Sequence, residues 1–198
     1  MPACGMYNAK MLWFTSDPHF GHEAVLRCAS RPFADLAAMH EALIANWNQR
    51  VKPDDTIYVV GDMALCRFGD FEPLARRLQG RKFLIQGNHD HYSLAQYGRL
   101  GFTVLQEAKM KLAGRMVRLS HYPWALPWWK RPFAFKSELR FMELRPPRVP
   151  GEILMHGHTH TKYRSTPDGR IHVGVDAWDY RPVSAREIES LLSRMGKD

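Results

Sequence analysis

Two short stretches set metal-binding side chains at close spacing. Asp17-Pro18-His19 places a carboxylate and an imidazole two residues apart, and His156-Gly157-His158-Thr159-His160 alternates three imidazoles. In extended backbone, residues i and i+2 point to the same side, so each stretch is expected to aim two donors one way. Mixed oxygen and nitrogen donors suit a divalent transition metal. Gly61-Asp62 adds a carboxylate whose two oxygens can bridge two cations, behind a glycine that permits close backbone approach. Gly87-Asn88-His89-Asp90 offers a neutral carbonyl ligand in Asn88 and an imidazole in His89 that can act on a substrate. Asp90 is expected to orient and polarise that ring. His121 is a single imidazole closing an apolar run. His22 either extends the site toward substrate or merely starts a helix, and Arg27 is a candidate phosphate contact. Arg31, like Arg27, either reaches a phosphate or stays at the surface, while Asp176 reads as a turn former, His91 as exposed and Cys66 as non-catalytic.

Residues so far apart meet only if the fold gathers them. Each candidate follows a stretch that reads as a strand: 11–16 before Asp17, 56–60 before Asp62, 82–86 before Asn88, one arm of a strand pair over 109–120 before His121, and 153–155 before His158. Ligands at the carboxyl ends of strands collect at one sheet edge. Between them, Asp35 caps an expected helix to Arg50 whose Leu36, Met39, Leu43, Ile44 and Trp47 share a face, and residues 71–78 read as a short helix. Ala113-Gly114 and Pro167-Asp168-Gly169 read as turns, and Ser184 with Glu187 as the capping box of a last helix.

The 198 residues, 45% hydrophobic and 24% charged, suit one globular domain over 1–198. No apolar run approaches the roughly 20 residues of a membrane span. The first residues carry no basic start followed by an apolar core, so no signal peptide is expected. Three cysteines without pairing pattern, Cys4, Cys28 and Cys66, fit reduced thiols, and the reading is a cytoplasmic protein away from membranes. The net charge of +8 is compatible with a polyanionic partner such as nucleic acid. Residues 122–150 stand apart, with six prolines, three of the six tryptophans and many Lys and Arg. They read as an excursion too short for a core of its own. Trp128 and Trp129 are its candidate substrate contacts, against the reading of a packed flap.

Taken in order, the motifs Asp-x-His, Gly-Asp, Gly-Asn-His-Asp, His and Gly-His-x-His resemble those of the calcineurin-like metallophosphoesterase superfamily, over most of the chain. The extended first motif, Asp17-Pro18-His19-Phe20-Gly21-His22, looks like a subgroup of small bacterial and phage phosphoesterases. The resemblance implies an α/β four-layer sandwich, two mixed sheets flanked by helices, with two metals at the strand ends. It implies Asp17, His19 and His160 on one metal, Asn88, His121 and His158 on the other, and Asp62 bridging them. His89 would meet the phosphoryl or leaving oxygen, with Asp90 as its partner. The expected activity is metal-dependent hydrolysis of phosphate esters. Mn²⁺ is the first choice of cation, with Fe, Zn, Ni and Mg as alternatives. A nucleotide or nucleic-acid phosphodiester is the leading substrate. A phosphomonoester of a metabolite or protein is the alternative, and a non-catalytic metal-dependent binding module a third reading. Natural substrate and oligomeric state stay open.

Overall fold

A computed structural model describes residues 10–134 and 136–195; Cys4 lies outside them. The apolar runs form two sheets. In the first, β1 (Leu12–Thr15), β2 (Thr56–Val59), β3 (Arg81–Ile85) and β4 (Phe102–Leu105) run parallel in that spatial order. In the second, the order is β5 (Ala108–Leu112), β6 (Arg115–Leu119), β7 (Ile153–His156), β9 (Arg170–His172) and β8 (Ser165–Thr166). There β6, β7 and β9 are parallel, while β5 and β8 pair antiparallel at the two edges. A short β10 (Val183–Ser184) lies antiparallel against β1. Both sheets are therefore mixed.

Alternation along the strands decides which core each residue joins. Trp13, Ile57, Val59 and Leu84 pack with Met39, Leu43, Ile44 and Trp47 of α2 (Leu36–Arg50), which follows the short α1 (Ala24–Cys28), and with Phe71 of α3 (Phe68–Ala75). Their neighbours Phe14, Val60 and Ile85 face Val117, Leu119, Ile153, Met155 and Ile171 of the second sheet. The architecture is thus two mixed sheets packed face to face and flanked by helices. Asp35 caps α2, its carboxylate accepting from Ala38 N at 2.7 Å. Ser184 and Glu187 form the capping box of the last helix, Ala185–Arg194.

Three departures from the sequence reading stand out. The helix expected at 71–78 runs Phe68–Ala75, because past Ala75 the chain tightens into i→i+3 bonds, Arg77 N to Leu74 O and Leu78 N to Ala75 O. A helix at Leu94–Arg99, with its own Ser93–Gln96 capping box, was missed. So was β4 after it, a four-residue strand too short for its periodicity to register. Ala113 and Gly114 turn the β5–β6 hairpin with φ of 48° and 75°, as a tight hairpin requires.

β1, β2, β3, β6 and β7 all end toward the same edge, and the segments that leave them carry the candidate ligands. Residues 122–150 leave that edge after β6 and cross to the opposite one, where the parallel β7 begins. Ala125 N donates to Pro146 O at 2.8 Å, closing the base of the flap. Tyr122 and Trp124 are buried, while Trp128 and Trp129 stand 76% and 57% exposed. No helix among the described residues is long and apolar enough to cross a membrane.

Candidate metal centre

The Asp17-Pro18-His19 segment is not extended as expected. Asp17 and His19 have φ of 55° and 53°, and Asp62, His158 and His160 are also left-handed at 54°, 70° and 49°. Non-glycine residues avoid this region and hold it where the surrounding structure compels them. Here Asp17 N donates to Gly61 O, His19 N to Asp62 O and Phe20 N to Met63 O, each at 3.0–3.1 Å. The loops after β1 and β2 are thereby laced together, and the left-handed turns swing both side chains into one space. Glycine makes the crowding possible. A Cβ on Gly61 (φ 86°) would strike the His121 ring, and one on Gly157 would strike Ser16 and Asp17.

Two groups of donors result, Asp17–His19–His160 and Asp62–His121–His158, each with its ligand atoms within 4.8 Å of one another. In the first, His19 Nε2 faces His160 Nε2 at 3.2 Å. In the second, His121 Nε2 faces His158 Nδ1 and Asn88 Oδ1, both at 3.3 Å. Asp62 Oδ2 lies between the groups, 3.6 Å from His19 Nε2 and 3.4 Å from His121 Nε2.

Partners behind the rings fix which nitrogen points inward. His121 Nδ1 donates to Val60 O at 2.9 Å, and His160 Nδ1 to Asp176 Oδ2 at 2.8 Å. Each therefore turns Nε2 toward the other donors. His22 Nδ1 meets His19 Nδ1 at 3.2 Å, so His22 touches the back of a ligand candidate rather than opening outward. Lone pairs converging on lone pairs repel unless positive charge lies among them, so this donor set fits divalent cations. Burial opposes a charge on His121, yet Asp62 and Asp17 lift its pKa to about 9, which shows how strongly the spot attracts positive charge. Burial dominates elsewhere and lowers His19 to about 3 and His158 to about 4, leaving both rings neutral and free to ligate. Burial also works against ionised Asp17, but His121 and His160 outweigh it and hold the carboxyl below its usual range.

Asp90 does not touch the His89 ring. Its carboxylate accepts from Asp62 N, Met63 N and Gly87 N at 2.8–2.9 Å and from Tyr97 OH at 3.0 Å. Four donors saturate it, so Asp90 clamps the loops after β2 and β3 together instead of polarising an imidazole. The His89 ring packs near His19 and His22, with centroids 5.4 and 5.7 Å away. Its main-chain N–H donates to Asp62 Oδ1 at 2.9 Å.

Two residues that sequence reasoning discounted belong to the centre. Arg31 is buried, and Nε and Nη2 donate to both oxygens of Asp176 at 2.9 Å. It also donates to Asp17 O at 2.7 Å and Pro18 O at 2.9 Å. Asp176 thus joins Arg31 to His160. Burial pushes its carboxyl up, but the bonds from His160 and Arg31 win and hold it below the ordinary value. A long cation defaults to the surface in any local reading. Only its partner, 145 residues on, draws it inside. Arg27 is exposed on the short helix Ala24–Cys28 and makes no hydrogen bond to either donor group among the described residues. His91 is exposed, and Cys66 is half-buried beside the Tyr92 hydroxyl.

A family model describing the calcineurin-like phosphoesterase superfamily domain matches residues 14–175, and the chain belongs to that superfamily of metal-dependent phosphoesterases. It is similar to the gene 66 protein of Mycobacterium phage L5, at 34% identity over 94% of this chain and 96% of the relative. It is also similar to the uncharacterized protein MJ1445 of Methanocaldococcus jannaschii, at 24% identity over 94% of both. Among solved structures, a protein of unknown function from Aquifex aeolicus, AQ665, superposes with a TM-score of 0.64 at 28% identity. That match covers 92% of this chain and 99% of AQ665.

Proposed function

We propose that this chain hydrolyses phosphodiesters of a nucleotide or nucleic acid at a centre of two divalent cations, with Mn²⁺ the first to test. The observation that supports it best is the pair of converging donor groups with the Asp62 carboxylate between them. In this reading Asp17, His19 and His160 hold one cation, Asn88, His121 and His158 the other, and Asp62 both. When bound, the cations supply charge for the phosphoryl oxygens and acidity for a water nucleophile.

The chain's own residues do the remaining work. The His89 ring hands a proton to the departing oxygen. Because the His89 main-chain N–H donates to Asp62 Oδ1, proton donor and bridging carboxylate keep a fixed relation. Arg31 and Asp176 hold His160 in one tautomer, and His22 steadies His19. The basic character of residues 122–150 favours a polyanionic or nucleotide substrate. They carry six Lys or Arg (Lys130, Arg131, Lys136, Arg140, Arg145, Arg148) against Glu138 and Glu143. Trp128 and Trp129 are its aromatic contacts in this reading.

The test compares bis(nitrophenyl) phosphate with nitrophenyl phosphate, after chelation and after Mn²⁺ is returned. Chelated protein should be inactive, restored protein active, and the diester preferred. Equal turnover with and without metal overturns the mechanism, and a monoester preference moves the substrate to the phosphomonoesters.

A further inference from the structure

A cavity of about 270 Å³ adjoins the second donor group, and nothing in the chemistry above uses it. Its walls are Gln86, Gln106, Ser120, His121, Tyr122 and Leu144. His121 belongs both to this cavity and to the donor group, and Gly87, also at the cavity wall, immediately precedes Asn88. A phosphoryl group at the centre therefore has this space beside it for whatever organic group it carries.

The lining states what that group is. No lysine, arginine or carboxylate faces the cavity, so it is not made for a second phosphate or an amine. Its volume falls below the roughly 300 Å³ at which pockets for drug-sized ligands begin, which leaves room for one small group. Tyr122 and Leu144, both from the flap, supply an aromatic and an aliphatic wall. At the open side of the same cavity Gln106 Nε2 donates to Gln86 Oε1 at 3.0 Å in a solvent-exposed bond. Each amide is then half-used. Whichever way the two are turned, the pair still offers a donor and an acceptor side by side. That is the complement of a heterocycle edge that carries an acceptor next to a donor, the pattern by which glutamine reads adenine. The Tyr122 hydroxyl, without a hydrogen-bond partner among the described residues, adds a third polar contact.

We propose that this cavity is a nucleobase pocket, in which Gln86 and Gln106 read the base edge while the phosphoryl group sits at the donor groups. The proposal rests on the phosphodiesterase reading above, and the experiment separates the two. Metal-loaded wild-type protein is assayed on bis(nitrophenyl) phosphate with adenosine monophosphate or inorganic phosphate as inhibitor. Adenosine monophosphate should inhibit at least about tenfold more tightly, the worth of one good bidentate contact. The double variant Gln86→Leu, Gln106→Leu should bring the two inhibition constants together. It should also lower the ratio of kcat/KM for a nucleotide nitrophenyl ester to that for the plain nitrophenyl diester by about tenfold. If no nitrophenyl ester is turned over at all, the phosphodiesterase reading fails. If it is turned over but the two inhibitors bind alike to wild type, the pocket is not for a base and the reaction stands. The wild-type comparison decides the matter even if the double variant does not fold. A ratio unmoved in a folded variant assigns base recognition to residues other than the two glutamines and overturns the proposal.

Discussion

At the strand tips, polar atoms are directed at one another. Asp90 takes four donors, Arg31 binds a carboxylate and two carbonyls, and five residues hold left-handed conformations to aim their side chains. In the flap the rule is reversed. Trp128, Trp129 and Phe133 are 76%, 57% and 87% exposed, and no ion pair holds Lys130 or Lys136 among the described residues. The two regions meet at His158, against which Tyr122 and Phe141 of the flap pack with centroids 5.2 and 5.5 Å away. One region is over-determined and suits chemistry that needs fixed geometry. The other is sparsely tied and suits recognition, because its surface can change without moving a ligand.

That contrast can be broken at four points, in falling order of effect. Asp62→Ala removes the carboxylate that lies between the two donor groups. Metal content measured by mass spectrometry should fall for both cations, and kcat/KM by about 10³-fold or more, the worth of several kcal/mol of charge stabilisation. Retention of two metals would show that Asp62 bridges nothing.

His89→Ala should keep its metals while kcat on a poor leaving group drops about 10²–10⁴-fold. With nitrophenolate, which leaves without a proton, the defect should shrink. A defect of equal size on both leaving groups argues for a role in positioning the phosphoryl group instead.

Asp176→Asn and Arg31→Lys act behind the ligands. Either should weaken metal affinity about 10–100-fold, read by titration calorimetry, with smaller loss of kcat at saturating metal. Unaltered affinity would make the Arg31–Asp176–His160 chain a purely architectural tie.

The smallest effect belongs to the flap. Trp128→Ala with Trp129→Ala should leave melting temperature nearly unmoved, since both rings are exposed. KM for an oligonucleotide substrate should rise about tenfold, as loss of one stacked base predicts. Equal loss on oligonucleotide and nitrophenyl diester would deny the flap a stacking role.

How much of this was legible beforehand follows from the range of the forces. The meeting of these side chains was legible because His and Asp at strand ends announce themselves: Asp17, His19, Asp62, Asn88, His121, His158 and His160 lie together in the fold. Apolar runs and turn signals likewise placed most strands of both sheets, but not β4 or β10. Backbone conformation was not legible, because residues 17–19 turn left-handed under bonds from residues 61–63, which no local pattern encodes. Asp90 was misassigned because sequence adjacency to His89 suggested a pair, whereas its oxygens answer amides from two other loops. Arg31 was misread for want of any nearby sign of Asp176.

The separation along the chain has a consequence for synthesis. Asp17 and Asp62 emerge early, but His158 and His160 come about a hundred residues after Asp62, and Asp176 later still. A chain stalled before residue 158 therefore has two of the three donors of each group and lacks Asp176, the carboxylate that pairs with Arg31. In the proposed reading, capture of metal by both groups must wait until residues 158–160 have been made, so it is no seed around which the early strands assemble. Stalling translation before residue 158 should yield a nascent chain with no tight metal site, although most of the first sheet has already been made.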